Sequence, residues 1–235
     1  MQIGIIETGK APAALTPIYG SYPVMGAALL NAHLDGFEWQ PISLLDGMPL
    51  PTPETFDGYL IMGSEFSAND PFPWIAELCD FVRKLAAAKI PLVGICFGHQ
   101  LIAKAMGGEV THRGWVIGSQ HYVSTKTADS LRTLSFHQDQ VTKLPESVTC
   151  TLTNSDCQYA ALRYEGWPCW TIQSHPEFSI AYMQALIERT RGRPLTNPEA
   201  DRALASLAKQ TATTAPTKDL IASALRQVLK PPEKN

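Results

Sequence analysis

The sequence predicts an α/β protein: a three-layer sandwich with a mainly parallel central sheet, helices on both faces, and a sharp strand-to-helix elbow carrying a cysteine. Three observations lead there. Short apolar runs alternate with stretches of helical length over the first half of the chain, the pattern of βαβ units. Pro91-Leu92-Val93-Gly94-Ile95-Cys96-Phe97-Gly98-His99-Gln100 reads as a buried strand, a tight turn and a helix start, and Gly107-Gly108 closes that helix. The 235 residues, 45% of them hydrophobic and 17% charged, suffice for one sizeable core.

Taken in order, Gln2–Glu7 is a compact apolar strand, and the Gly/Pro/Ala-rich residues 8–20 form a loop. Pro23 suits a first helical turn, which predicts a helix over 22–35. A second strand is expected over 38–44 and a third over 58–62, breaking at Gly63-Ser64. After the turn at residues 69–73, an amphipathic helix over 74–88 leads to the elbow. Ligands of parallel sheets bind at the carboxyl ends of strands, where Gly63 and Cys96 both fall. Beyond Gly108 the texture changes. Short β-type runs at 109–113, 118–124, 148–153, 158–164 and 168–173 predict a more antiparallel half of the same sheet. A helix is expected over 179–191, another starting at Asn197-Pro198-Glu199 with Asn197 as cap, and a last one over 218–230 capped by Thr217. Residues 211–216 read as a linker and 231–235 as a frayed end. The domain division expected is a main domain over 1–192 and a helical C-terminal extension over 193–235.

Gly94 and Gly98 flank Cys96 at two residues on either side, as a nucleophile elbow requires. The turn would place the Cys96 sulfur at a helix N-terminus, where free N–H groups and the helix dipole favour the thiolate. The N–H of Phe97 would face an oxyanion formed by attack. Taken alone, Gly-x-Cys-x-Gly also fits an ordinary strand–helix junction with a buried cysteine. A partner for it stands downstream in Gln173-Ser174-His175-Pro176-Glu177-Phe178. Pro176 keeps His175 extended, so Glu177 faces the same way and reaches its ring. A thiol nucleophile needs such a base, and the base such an orienting carboxylate.

Composition limits the alternatives. A net charge of −3 and a pI near 6.1 give no electrostatic case for nucleic acid or an anionic membrane. No apolar run reaches the length of a membrane span, and residues 1–7 lack the basic region of a signal peptide. Five cysteines without paired Cys-x-x-Cys spacing fit a reduced, cytoplasmic protein with free thiols. His33, His112 and His121 have no ligand-like spacing, so neither metal nor cofactor is expected. His99 reads as a packed or capping residue.

The sequence resembles the class I (triad-type) glutamine amidotransferases, in particular the glutaminase domain of GMP synthetase and its stand-alone relatives. The residues that carry the likeness are Gly94 to Gln100, Gly107-Gly108 and Gln173 to Glu177, with a weaker match at Ser135-Phe136-His137-Gln138-Asp139-Gln140. It spans about residues 59–188. The resemblance implies a flavodoxin-like amidotransferase fold, with Cys96 as nucleophile, His175 as base and Glu177 as its orienter. It also implies hydrolysis of the γ-carboxamide of glutamine through a γ-glutamyl thioester, releasing glutamate and ammonia. Gly63, Ser64 and Phe97 fall in the oxyanion region, and Gln100 and His137 near the substrate. For His137 a structural hydrogen bond is as good a reading. Many family members have a second glycine where Ser64 stands; Ser64 is expected to act through its backbone and not its hydroxyl.

Other functions stay open from the sequence. The same residues would serve γ-glutamyl peptides or conjugates in place of free glutamine. A non-catalytic module of the same fold, or a redox-sensing or chaperone module with an elbow cysteine, would not call for His-Pro-Glu. Residues 193–235 contain no phosphate loop and are too few for a synthetase domain, so ammonia would go to a separate synthetase subunit or to no acceptor.

Overall fold

The computed structural model of the chain describes residues 1–211 and 217–229. One nine-stranded sheet organises them, in the order β2-β1-β3-β4-β9-β8-β7-β5-β6. Strands β1 (Gln2–Glu7), β2 (Glu38–Ser43), β3 (Gly58–Ile61), β4 (Leu92–Ile95) and β9 (Cys169–Ile172) pair in parallel. Strands β5 (Glu109–Ser124), β6 (Ser130–Lys143), β7 (Val148–Thr153) and β8 (Ala161–Tyr164) join antiparallel, β8 onto β9. The sheet is therefore parallel over one half and antiparallel over the other, a tighter statement than the mainly parallel sheet expected.

Helices cover both faces, and the period of two along each strand decides which side chain meets which. Ile6, Tyr59, Ile61 and Leu92 pack with Leu78, Val82 and Leu85 of α3 (Pro73–Ala88) and Leu101 of α4 (Phe97–Ala105). Their neighbours Ile3, Ile5, Leu60, Val93 and Ile95 face the other way. There they meet Leu30 of α2 (Tyr22–Asn31) and Leu225 of α7 (Thr217–Val228). A short α1 (Thr16–Tyr19) precedes α2. A third cluster joins α5 (Ile180–Thr190), through Tyr182, Met183 and Ile187, to Ala200, Ala203 and Leu207 of α6 (Asn197–Thr211).

Several boundaries differ from expectation for physical reasons. The runs at 109–113 and 118–124 belong to one long strand, β5, because a bulge between His112 and Val116 absorbs the irregular residues between them. Its partner β6 has no counterpart among the strands expected from sequence. Its residues are rich in Ser, Thr and Gln, yet Leu131, Thr133, Leu134, Ser135 and His137 are buried, so pairing and not apolar alternation defines it. The cap of α6 is Thr196, not Asn197. The Thr196 hydroxyl accepts from the Glu199 N–H at 3.4 Å, and Glu199 accepts from the Thr196 N–H at 2.8 Å, a reciprocal capping box.

Residues 193–235, expected as an extension, carry α6 and α7. The first lies on β5, where Ser206 accepts from the Ser119 N–H at 2.9 Å. The second buries Ile221, Ala224, Leu225 and Val228 against the sheet. The expected linker from 212 onward and the end from 230 lie outside the described residues.

Candidate active site

The elbow is built by exclusion. All four residues of β4 are buried, and Cys96 follows them with φ 52° and ψ −104°, a conformation that non-glycine residues rarely adopt. A Cβ on Gly94 would fall 2.8 Å from the Gly98 carbonyl carbon, and one on Gly98 would strike the Ile61 carbonyl oxygen. The turn can be this tight because both positions lack side chains. Cys96 is anchored by its N–H to the Ile172 carbonyl at 2.9 Å, and its own carbonyl accepts the Gln100 N–H at 3.1 Å. The first N–H groups of α4, from Phe97 onward, have no acceptor within the helix.

His175 lies past the end of β9, where its N–H bonds the Leu134 carbonyl of β6 at 2.7 Å. Its Nδ1 is 2.7 Å from Glu177 Oε1; the carboxylate is an acceptor, so Nδ1 carries the proton and Nε2 is left for Cys96. Burial disfavours a charged ring. The charges of Glu177 and Cys96, and hydrogen bonds to both, outweigh burial and raise the imidazole pKa well above its ordinary range. Phe178 lies flat on the imidazole, ring centres 4.1 Å apart and planes 6° from parallel.

Gly63 fits only as glycine, since a Cβ there would lie 2.9 Å from His175 Cε1 and 3.6 Å from Cys96 Cβ. The next residue departs from the sequence expectation. The Ser64 hydroxyl donates to the Thr8 carbonyl at 2.6 Å and accepts from the Phe66 N–H at 3.1 Å. Thr8 in return donates to the Met62 carbonyl at 3.0 Å. The side chain of Ser64 thus ties down the loop that its backbone is expected to serve. Thr8 follows β1 at the same carboxyl edge as Gly63 and Cys96, and that edge rule is the signal in the sequence that points to it.

Gln100 and His137 both border the cavity at Cys96. Gln100 donates to the Asp139 carbonyl at 2.8 Å and to Gln173 Oε1 at 3.2 Å, so its amide holds β6 in place. His137 donates from Nδ1 to the Asp139 carbonyl at 3.1 Å. Burial, reinforced by repulsion from His175, pushes its pKa down to about 3. His99, bonded to Thr171 Oγ1 at 2.8 Å, is likewise held at about 3 by burial and does not reach the cavity. Of the five cysteines only Cys96 borders the cavity, and burial raises the thiols of Cys79, Cys150, Cys157 and Cys169. Among the described residues no group of three His, Cys, Asp or Glu stands close enough to hold a metal. No helix among them is long and apolar enough to cross a membrane.

The cavity measures about 410 Å³. Lys10, Ser64, Glu65, Ser67, Gln100 and Asp139 line it, as do Pro194 and the apolar wall of Trp115, Phe136, Phe178 and Leu186, four residues of one cluster. Sequence alone does not reveal this apolar wall, because its members come from β5, β6, α5 and the segments flanking α5, with no shared local pattern. A strained cysteine at a helix start beside a carboxylate-oriented histidine, in a cavity of ligand size, is equipped for acyl transfer.

Known proteins share stretches of this sequence and its fold. Residues 49–190 match the family described as Glutamine amidotransferase class-I. Gamma-glutamyl peptidase 4 of Arabidopsis thaliana is 30% identical over 191 residues, covering 73% of this chain and 73% of that protein. A glutamine-hydrolyzing GMP synthase subunit of Methanothermobacter thermautotrophicus is 35% identical over 106 residues, 42% of this chain and 55% of that protein. The crystal structure of a glutamine amido transferase from Methylobacillus flagellatus shares the fold, with a TM-score of 0.73 at 19% identity over 100% of this chain and 97% of that one. The family match covers more than half of the sequence and includes Cys96, His175 and Glu177, so the chain is an enzyme of the class I glutamine amidotransferase family.

Proposed function

We propose that the enzyme hydrolyses the γ-amide bond of γ-glutamyl peptides or conjugates, with Cys96 as nucleophile, His175 as base and acid, and Glu177 as its orienting carboxylate. The Cys96 thiolate attacks the γ-carbonyl carbon, and the electron pair of the C=O bond moves to oxygen. The N–H groups of Phe97 and of the Gly63–Ser64 segment face that oxyanion. Collapse breaks the C–N bond, and the departing amine takes the proton from His175 Nε2. Water then gives a proton to His175 and attacks the γ-glutamyl thioester. Glutamate leaves, and the thiolate and imidazolium are restored.

The observation that carries this reading is the cavity of about 410 Å³ around Cys96, which is larger than one glutamine fills. The similarity to gamma-glutamyl peptidases over most of the chain supports it. A second reading keeps free glutamine as substrate and passes ammonia to a separate synthetase subunit. It is favoured by the similarity to glutamine-hydrolyzing GMP synthase subunits, which covers less than half of the chain.

The deciding experiment incubates the purified protein with glutamine and with γ-glutamyl amides and measures released ammonia, amine and glutamate. Turnover of a γ-glutamyl amide at about 1 s⁻¹ or more, exceeding that of glutamine, is the expected result. Hydrolysis of glutamine alone, rising only on addition of a synthetase, would establish the second reading instead.

A further inference from the structure

Resting on the γ-glutamyl hydrolase reading, we infer that the amine released by this enzyme bears an uncharged, apolar group and no carboxylate beside the scissile nitrogen. The charges around the cavity are the starting point. Its carboxylates are Glu65, Asp139 and Glu177, and among the described residues Lys10 is the only lysine or arginine lining it. Lys10 has no donor to spare. Its ammonium gives its three N–H groups to Glu7 at 2.5 Å, Asp46 at 2.6 Å and Ser43 at 2.8 Å.

The γ-glutamyl head is a zwitterion: its ammonium needs carboxylates and hydrogen-bond acceptors, and its α-carboxylate needs N–H donors such as the Gln138 amide, which also lines the cavity. Carboxylates line the cavity at Glu65 and Asp139, where Ser67 donates to Asp139 at 2.5 Å and Gln100 holds the Asp139 carbonyl. The leaving amine lies beside His175. It takes its proton from His175 Nε2, since Nδ1 is engaged by Glu177. Phe178, stacked on that same ring, belongs to one apolar cluster with Leu186, Trp115 and Phe136. Trp115 meets Phe136 edge to face at 5.3 Å, forming an aromatic wall above Cys96, whose sulfur lies 4.0 Å from the Phe136 carbonyl oxygen. A carboxylate carried on the amine would be desolvated against this wall, with no lysine or arginine among the lining residues there to pair it once His175 has given up its proton. A branched alkyl or aromatic group would gain contact area there.

A matched pair of substrates tests this. γ-Glutamylleucine and γ-glutamylisoamylamide differ only in the leucine carboxylate. The isoamylamide is expected to show at least tenfold higher kcat/KM than γ-glutamylleucine, and higher than glutamine. Trp115→Ala should lower kcat/KM for the isoamylamide about tenfold more than for glutamine, chiefly through KM. Equal or better turnover of γ-glutamylleucine would overturn the inference while leaving the hydrolase reading intact. Equal losses on both substrates in Trp115→Ala would also overturn it. Release of no amine from either conjugate would sink the hydrolase reading itself, and this inference with it.

Discussion

The rings of His175 and Phe178 stack face to face, 4.1 Å between centres and 6° from parallel, three residues apart in the chain. Phe178 is held in turn by Tyr182, edge-on at 4.6 Å, and by Tyr22 at 5.8 Å. The stack fixes the plane of the imidazole, while Glu177 fixes its rotation within that plane. A protonated imidazole also gains from an aromatic face. Phe178→Leu is therefore expected to reduce kcat by roughly tenfold or more, because small misplacements of a catalytic group are costly. Phe178→Tyr should retain most activity. Steady-state kinetics of the two variants check this, and equal losses in both would show that the ring face does not matter.

Cys96→Ala and His175→Ala should each abolish hydrolysis, with losses that do not add in the double variant, as members of one catalytic unit behave. Glu177→Gln should cost less, because His175 keeps a neutral hydrogen-bond partner. An electrophile shaped like glutamine should label Cys96 alone; mass spectrometry that found label spread over the five cysteines would argue against an activated thiol. Retention of turnover within about tenfold in His175→Ala, only ~1.4 kcal/mol of barrier, would remove His175 from the mechanism.

The bridge from Ser64 to Thr8 and Phe66 gives its own expectation. Ser64→Ala removes a hydroxyl that donates at 2.6 Å and accepts at 3.1 Å, a loss of about 1–3 kcal/mol where it leaves partners unsatisfied. Activity should fall several-fold through a loosened oxyanion loop, and Thr8→Val should behave similarly. Kinetics of the single and double variants check the coupling: Thr8→Val keeps the carbonyl that Ser64 bonds and loses the bond to Met62, so additive losses would mean independent bonds and less than additive ones a single shared loop.

Acid should destabilise the fold before it touches most carboxylates. His99 and His137 are held at a pKa of about 3, against ~6.5 for a free imidazole. Between those values the unfolded chain binds more protons than the folded one, so stability falls as pH drops. Each histidine contributes up to about 1.4 kcal/mol per pH unit. The raised pKa of His175 has the opposite sign: its contribution is full below ~6.5 and is lost as pH rises through its folded value. Urea unfolding at pH 7, 6 and 5 should show the decline, and His99→Gln should reduce its slope. A flat profile over that range would contradict the burial argument.

Leu225 of α7 is fully buried among sheet residues. Leu225→Ala should cost about 2–5 kcal/mol of stability, as for other large-to-small changes in a packed core. Denaturant unfolding measures it, and a cost under ~0.5 kcal/mol would make α7 dispensable to the main core.

Much of the parallel half is legible in the sequence because its determinants are local. Four-residue strands such as Leu92–Ile95 are wholly apolar, and the elbow needs two glycines at fixed offsets. The His175–Glu177 bond is legible for the same reason, two residues of extended chain. β6 is not, since its partners are defined by pairing across a hairpin. Nor is the Ser64–Thr8 bridge, which joins residues 56 apart in sequence. The apolar wall stays hidden because its residues share a cluster in space and no spacing in the chain.

The β5–β6 hairpin makes part of the cavity a separable unit of the chain. Trp115, Phe136, His137 and Asp139 all border the cavity, and all belong to this one contiguous excursion of the chain. Cys96 and Gly63 lie outside it, in a setting where a single added methyl group would collide with backbone or with His175. Exchanging this one hairpin would thus replace four lining residues at once while leaving the glycines of the elbow in place.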